Sequence, residues 1–248
     1  MAGKAPNGLY RQFSLKEAIH DRVMALKRGK EGMFNWKRKM SVANIPREFW
    51  PINLNNFQGD ELAREYVEVY CGRLDEVLKR GIGFCFMGKH GVGKTSLQMI
   101  ILKRALEKGY SCFYLTLAEL FRQIYMGFNY PELLVELQRL LTNTQFLAIG
   151  EIGRDYHRKD SKQFMLSEFD FIFRKRRSLC LPTSIDTNMT EEEMEDTYGE
   201  ALISLFSSVL KVTTVEGEDF RIKIQRKQVN EFFGEDECGL PIKEGEAE

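Results

Sequence analysis

Eight residues near the middle of the chain, Gly88-Lys89-His90-Gly91-Val92-Gly93-Lys94-Thr95, carry the spacing G-x-x-x-x-G-K-T. Glycines there let backbone N–H groups crowd around a phosphate. The start of a following helix adds partial positive charge. The Lys94 ammonium is placed to reach β- and γ-phosphates, and the Thr95 hydroxyl to ligate Mg²⁺. Residues 82–87 form an apolar run before the loop, and residues from Ser96 to Leu102 read as a helix after it. Strand, loop and helix in that order are the context the motif requires. Residues 88–96, Ser96 included, are therefore expected to bind ATP or ADP with Mg²⁺.

Hydrolysis of a triphosphate needs one carboxylate to hold the metal and a second group to orient the attacking water. Both usually stand at the end of an apolar strand. Here the strand runs Gln145-Phe146-Leu147-Ala148-Ile149 and ends in Gly150-Glu151-Ile152-Gly153. Glu151 is available for the water, but the metal position is Gly150. Asn188, after Asp186-Thr187, is placed to contact the γ-phosphate or water, although an Asn there serves equally as a cap or turn residue.

The elements that must hold these groups alternate along the chain. A helix capped by Asp60 is expected to run to Arg80 and stop at Gly81. Strands are expected at residues 82–87, 110–115, 145–149 and 181–187, with closing strands at 211–215 and 220–225. Between them, Thr116 and Glu119 offer a capping box, Pro131 suits the first turn of a helix, residues 164–176 read as helical, and Thr190 caps a short acidic helix. Such alternation means an α/β fold with a parallel sheet, its ligands gathering at the carboxyl ends of the strands.

Bulk properties set limits. The chain has 248 residues, 43% hydrophobic and 29% charged, with formal net charge zero. That suits one nucleotide-binding domain with a short appendage. Zero net charge leaves nucleic-acid or membrane attraction to local patches. Five dispersed cysteines without a C-x-x-C pair imply reduced thiols and a cytoplasmic setting. The polar N-terminus, and apolar runs well short of about 18 residues, give no signal peptide or membrane span. Ser14 to Glu17 offers a capping box for an N-terminal helix. Lys27, Arg28, Lys30, Lys37, Arg38 and Lys39 follow, interleaved with Phe34 and Trp36; cations beside aromatics suit single-stranded nucleic acid, an acidic protein partner or a solvated linker. The division expected is 1–44 appendage and basic linker, 45–230 core, and 231–248 acidic flexible tail.

From Ile45 to Gln225 the chain resembles the DnaC/DnaI-type helicase loaders and the related IstB transposition ATPases, within the AAA+ ATPases. The likeness rests on Ile45-Pro46 through Phe57, the phosphate loop, Leu147 to Gly153, Leu181 to Asn188, Thr187-Asn188-Met189-Thr190 with Glu193-Met194, Tyr198-Gly199-Glu200, and Val215 to Arg221. It implies an AAA+ core with a five-stranded parallel sheet, a small N-terminal appendage and no full C-terminal lid. It also implies self-association, single-stranded DNA binding and delivery of a DnaB-type replicative helicase gripped by the N-terminal region. Arg221 matches an arginine that senses nucleotide within the subunit. Family members also carry two arginines after Tyr198-Gly199 that act on a neighbour's nucleotide. Here those positions are Ala201 and Leu205. A trans arginine is worth ~10³–10⁵ in rate in comparable phosphoryl transfer. With the metal carboxylate also missing, nucleotide binding with weak or no turnover is expected. Arg174 to Arg177 offer a substitute cation or a solvated helix end.

For single-stranded DNA, Phe121, Arg122, Tyr125, Phe128 and Tyr130 set aromatics beside a cation, though Phe121 and Tyr125 suit a buried helix face equally. Arg154, His157, Arg158, Lys159 and Lys162 form a second basic patch suited to phosphates. Besides a helicase loader in DNA replication, the sequence admits a non-catalytic adaptor between DNA and protein, or an IstB-like transposition helper.

Overall fold

Short runs buried on both faces build a parallel sheet, because the crossover helices cover each side. A computed structural model describes residues 36–127, 130–153, 162–220, 230 and 232–233. Its strands are β1 (Gly83–Met87), β2 (Cys112–Thr116), β3 (Phe146–Ile152), β4 (Thr183–Thr187) and β5 (Leu210–Thr214). All pair in parallel in the order β2-β3-β4-β1-β5. This is the five-stranded parallel sheet that the family resemblance implies. Of the closing strand expected at 220–225 only Phe220 is described; it is helical and donates its N–H to the Gly91 carbonyl (3.1 Å), and residues 221–225 lie outside the described residues.

Side chains alternate across the sheet, interrupted on β3 between Ile149 and Ile152, so each face has its own core. Phe84, Phe86, Cys112, Tyr114, Phe146 and Ala148 point to α1 (Trp36–Val42), α2 (Glu61–Gly72), α3 (Leu74–Arg80) and α4 (Lys94–Glu107). Cys85, Leu115, Leu147, Ile149 and Ile185 point to α5 (Leu117–Gly127), α6 (Pro131–Asn143), α7 (Lys162–Ser178), α8 (Glu191–Tyr198) and α9 (Glu200–Val209). The sheet is therefore the middle of three layers.

Local signals act where the sequence puts them. Asp60 caps α2 by accepting from Ala63 N–H (2.9 Å), Thr116 and Glu119 exchange reciprocal bonds, and Thr190 with Glu193 forms a full capping box. The single helix expected from residue 60 to residue 80 breaks at Arg73, whose φ of −123° is not helical. Gly72, the weakest helix former there, precedes the break. Cys71, Cys85 and Cys112 are buried. Burial pushes the Cys71 and Cys85 thiols up to about 12, which makes them poor nucleophiles.

The segment after α1 is a strap on the outer edge of β2. Tyr114 N–H donates to the Ala43 carbonyl and the Asn44 amide to the Tyr114 carbonyl, both at 2.9 Å. Lys103 on α4 holds the next turn, donating to the carbonyls of Phe49 (2.7 Å), Trp50 (3.3 Å) and Ile52. Met40, Ala43 and Ile45 enter the core, so the expected boundary between residues 44 and 45 falls within packed structure. Trp36 also packs there, while Lys37 and Arg38 face solvent; Ser14 to Phe34 lie outside the described residues.

At the other end of the strands sits Arg176. Its side chain is fully buried and donates to Thr183 Oγ1 (2.7 Å) and to the carbonyls of Leu141, Thr144 (2.8 Å), Gln145 (3.3 Å) and Pro182 (2.7 Å). One guanidinium thus ties the end of α6, the approaches to β3 and β4, and α7. Fully buried and engaged in these bonds, Arg176 is not presented to a neighbouring subunit and does not fit the role of a substitute trans cation. Arg174 pairs with Asp170 (2.7 Å). We expect Arg176→Met to lower stability by ~3 kcal/mol or more, because several buried carbonyls lose their donor. The exposed neighbour Arg177→Met should stay within about 0.5 kcal/mol. Urea unfolding of both variants checks this.

Candidate nucleotide site

The loop from Gly88 to Gly93 joins β1 to α4, and its shape needs glycine. Gly88, Gly91 and Gly93 have φ of 148°, 76° and 100°, values that side-chain-bearing residues rarely adopt. Val92 anchors the loop in the core while Lys89 and His90 face solvent. Lys94 is 6% exposed and folds over the loop, donating to the Gly88 carbonyl (2.8 Å) and to Asn188 Oδ1 (2.7 Å). The Asn188 amide also meets His90 Nδ1 at 3.2 Å. The sheet order causes this meeting: β4 lies beside β1, so the residue after β4 abuts the loop after β1. Lys94, His90 and Asn188, expected from separate motifs, form one cluster.

Thr95 opens the second half of the site. Its hydroxyl donates to Asp186 Oδ2 (3.0 Å), and the other oxygen of that carboxylate accepts from Glu151 N–H (2.8 Å). Gln98, one helical turn after Thr95, completes the set. With its amide oriented to satisfy both groups, it donates to Asp186 Oδ2 and accepts from Asp186 N–H, each at 3.0 Å. Asp186 is 2% exposed. Burial raises its pKa, opposed by the hydrogen bonds from Glu151 and Thr95 and by the Lys94 charge.

Glu151 stands on a bulge. The β3–β4 register runs Ile149 with Ile185, then shifts to Ile152 with Thr187. Glu151 takes φ of 58°, in the left-handed region, and its side chain is exposed. Backbone strain of this kind concentrates at functional positions. Thr95 and Glu151 border a cleft of roughly 490 Å³ shared with Tyr114, Thr116, Glu119 and the strap from Ser41 to Trp50.

The other expected residues are more scattered. Phe121 is 3% exposed and belongs to the core, so it is no surface stacking platform. Arg122, Tyr125 and Tyr130 are exposed. Arg154, Lys159, Arg221 and Phe128 lie outside the described residues, as do His157 and Arg158 of the second basic patch, while Lys162 opens α7. On α9, Ala201 is exposed and Leu205 is buried in the core.

Asp186, Tyr114 and Gln98 were not singled out by the sequence motifs. A signal existed for the first: one acid inside the strand Thr183-Ser184-Ile185-Asp186-Thr187, which is buried throughout. Gly150 also proves to be a packing requirement. A Cβ there would stand 2.5 Å from the Tyr114 hydroxyl and 3.0 Å from its ring. Gly150→Asp should therefore cost about 1–3 kcal/mol by overpacking, with a second carboxylate set beside Asp186. A lower melting temperature, partly restored by Tyr114→Leu, is expected; an unchanged one would contradict the packing.

Comparison with known proteins fits this geometry. The chain is 31% identical over 142 residues to the replicative helicase loader DnaC of Escherichia coli K12 and, equally, to that of Shigella flexneri. The match covers 57% of this chain and 54% of the relative, so the chain spans about half the length of the curated relatives it matches. In fold it is similar to the crystal structure of the DnaC helicase loader, with TM-score 0.60, 18% identity, and coverage of 69% of this chain and 100% of that one. It is similar also to DnaI, with TM-score 0.59, 17% identity, and coverage of 71% and 93%. AMPPCP-bound DnaA from Aquifex aeolicus aligns with TM-score 0.56, 18% identity, and coverage of 79% and 58%. The fold is that of an AAA+ P-loop protein. The family model for IstB-like ATP binding proteins matches residues 78–228, more than half of the chain, and the chain belongs to that family.

Proposed function

We propose that this protein is an ATP-binding AAA+ loader of a DnaB-type replicative helicase, working in the cytoplasm during DNA replication. The observation that carries the reading is its 31% identity to the loader DnaC over 142 residues, beside an intact phosphate-loop pattern at Gly88 to Thr95. Residues 88–96 hold the ATP or ADP phosphates, Lys94 the β- and γ-phosphates, and Thr95 the Mg²⁺. Asn188, bonded to Lys94 at 2.7 Å, reports the state of the γ-phosphate to β4. Arg221 senses the nucleotide from within the subunit.

Binding partners follow from surfaces rather than from the loop. The N-terminal region before the strap grips the helicase. Arg122, Tyr125 and Tyr130 offer an exposed cation with aromatics for single-stranded DNA, joined by Arg154 and Lys159. Copies associate through the AAA+ core.

Turnover is slow in this reading. Glu151 orients water beside Thr95, but α9 presents Ala201 and Leu205 where a neighbour's nucleotide needs arginines. That same observation favours a second reading, a nucleotide-gated adaptor between DNA and protein that never hydrolyses.

Three measurements test these assignments. Lys94→Ala should weaken ATP binding about 100-fold or more, equivalent to ~3 kcal/mol, while the chain stays folded; unchanged affinity contradicts the loop assignment. Glu151→Gln should abolish residual hydrolysis yet keep ATP affinity within about threefold, as expected of a group that acts on water in the transition state. Co-purification of a hexameric replicative helicase in ATP supports the loader. Bending of duplex DNA with a transposase, and no helicase, would replace it with a transposition helper.

A further inference from the structure

We infer that Asp186, on β4, is the carboxylate that holds the nucleotide's Mg²⁺ together with Thr95, in place of the residue that β3 lacks at Gly150. The inference rests on the nucleotide-binding reading of the phosphate loop and adds a metal site to it.

The sheet itself moves the carboxylate sideways. Ile149 on β3 pairs in register with Ile185 on β4 and pairing resumes at Ile152 with Thr187, so Asp186 lies opposite the bulge made by Gly150 and Glu151, on the sheet face set by its partner in β1. That face is the α4 side: Asp186 pairs with Phe86 of β1, which packs in the core beneath α4. Thr95 begins the same helix, and its hydroxyl is 3.0 Å from Asp186 Oδ2. A carboxylate transferred by one strand thus keeps its face, its depth along the sheet and its contact with the loop threonine.

The chemistry of the donor set agrees. Glu151 N–H, the Thr95 hydroxyl and the Gln98 amide are all neutral. Burying a carboxylate among neutral donors costs roughly several kcal/mol unless cations balance it; the Lys94 charge supplies part of that balance, and a metal ion beside Thr95 would add to it. Mg²⁺ favours hard oxygen ligands, commonly one or two carboxylates with substrate phosphates. When bound, it neutralises charge between β- and γ-phosphate oxygens. The opposite strand has adapted as well. Tyr114 fills the space above Gly150 with its hydroxyl, so a side chain cannot return to that position without a clash.

Asp186 could otherwise serve only as an anchor for Thr95 and the Glu151 bulge. The two roles separate by titrating the full chain with a fluorescent ATP analogue in EDTA and in Mg²⁺, and by measuring Mn²⁺ binding through its paramagnetic resonance. The unaltered chain should bind the analogue more tightly in Mg²⁺. Asp186→Asn preserves shape and should match it in EDTA, while the gain from Mg²⁺ is lost and Mn²⁺ binding falls about 10–100-fold, the usual cost of altering a metal's support. Asp186→Thr, which still offers an oxygen to Glu151 N–H, should behave alike. An Asp186→Asn chain that keeps the full Mg²⁺ gain would overturn the proposal, as would unfolding of both variants, which would make Asp186 an anchor alone. An unaltered chain that binds the analogue equally well with and without Mg²⁺ would overturn it while leaving the nucleotide reading intact. No binding in either buffer would overturn the nucleotide reading, and this proposal with it.

Discussion

A carboxylate inside a protein must be met by donors on each of its oxygens, or its burial is too costly to survive. Asp186 meets that demand from three residues on two elements: Thr95 and Gln98 of α4, and Glu151 of β3. Those bonds fix more than the acid. They orient the first turn of the helix that follows the phosphate loop. They also hold the β3 bulge, on which Glu151 adopts a conformation that non-glycine residues rarely take. The two halves of the site, the glycine-rich loop with its helix and the exposed Glu151, therefore share one buried anchor.

Sheet order makes that sharing possible. With β4 between β3 and β1, residues ending β4 reach the loop on one side and the bulge on the other. Asp186 looks toward Thr95 and the bulge, while Asn188, two residues on, looks toward Lys94 and His90. A shift of β4 along its axis would disturb both sets together. Arg176 opposes such a shift from the far end, where it binds the Pro182 carbonyl and Thr183 hydroxyl at the entrance to the strand.

Most of this fold was legible in the sequence because its signals are local. The phosphate loop, the capping residues Thr116 and Thr190, and the apolar strand runs act within a few residues of themselves. What stayed hidden depends on lateral neighbours. Gly150 reads as a missing acid when β3 is considered alone; beside β2 its side-chain space is taken by Tyr114, and a buried acid stands on β4 at Asp186. Arg176 reads as one cation in a basic helix end, and only the packing of α6, β3 and β4 around it makes it a core residue. Phe121 lies on the apolar side of α5, and helical periodicity allowed both fates for it. Expectations resting on Arg154, Lys159 and Arg221 fall outside the described residues.

The strap at the edge of β2 gives the architecture a mechanical connection. Residues 43 and 44 are bonded to the backbone of Tyr114, and Tyr114 is the side chain that roofs Gly150. The next turn is fastened to α4 through Lys103, on the helix whose first turn carries Thr95. Tension on the strap would therefore reach the fold at two rivets, the Tyr114 backbone and Lys103. Both lie on elements that border the cleft beside Thr95 and Glu151, so load on the strap and the shape of that cleft depend on the same few bonds.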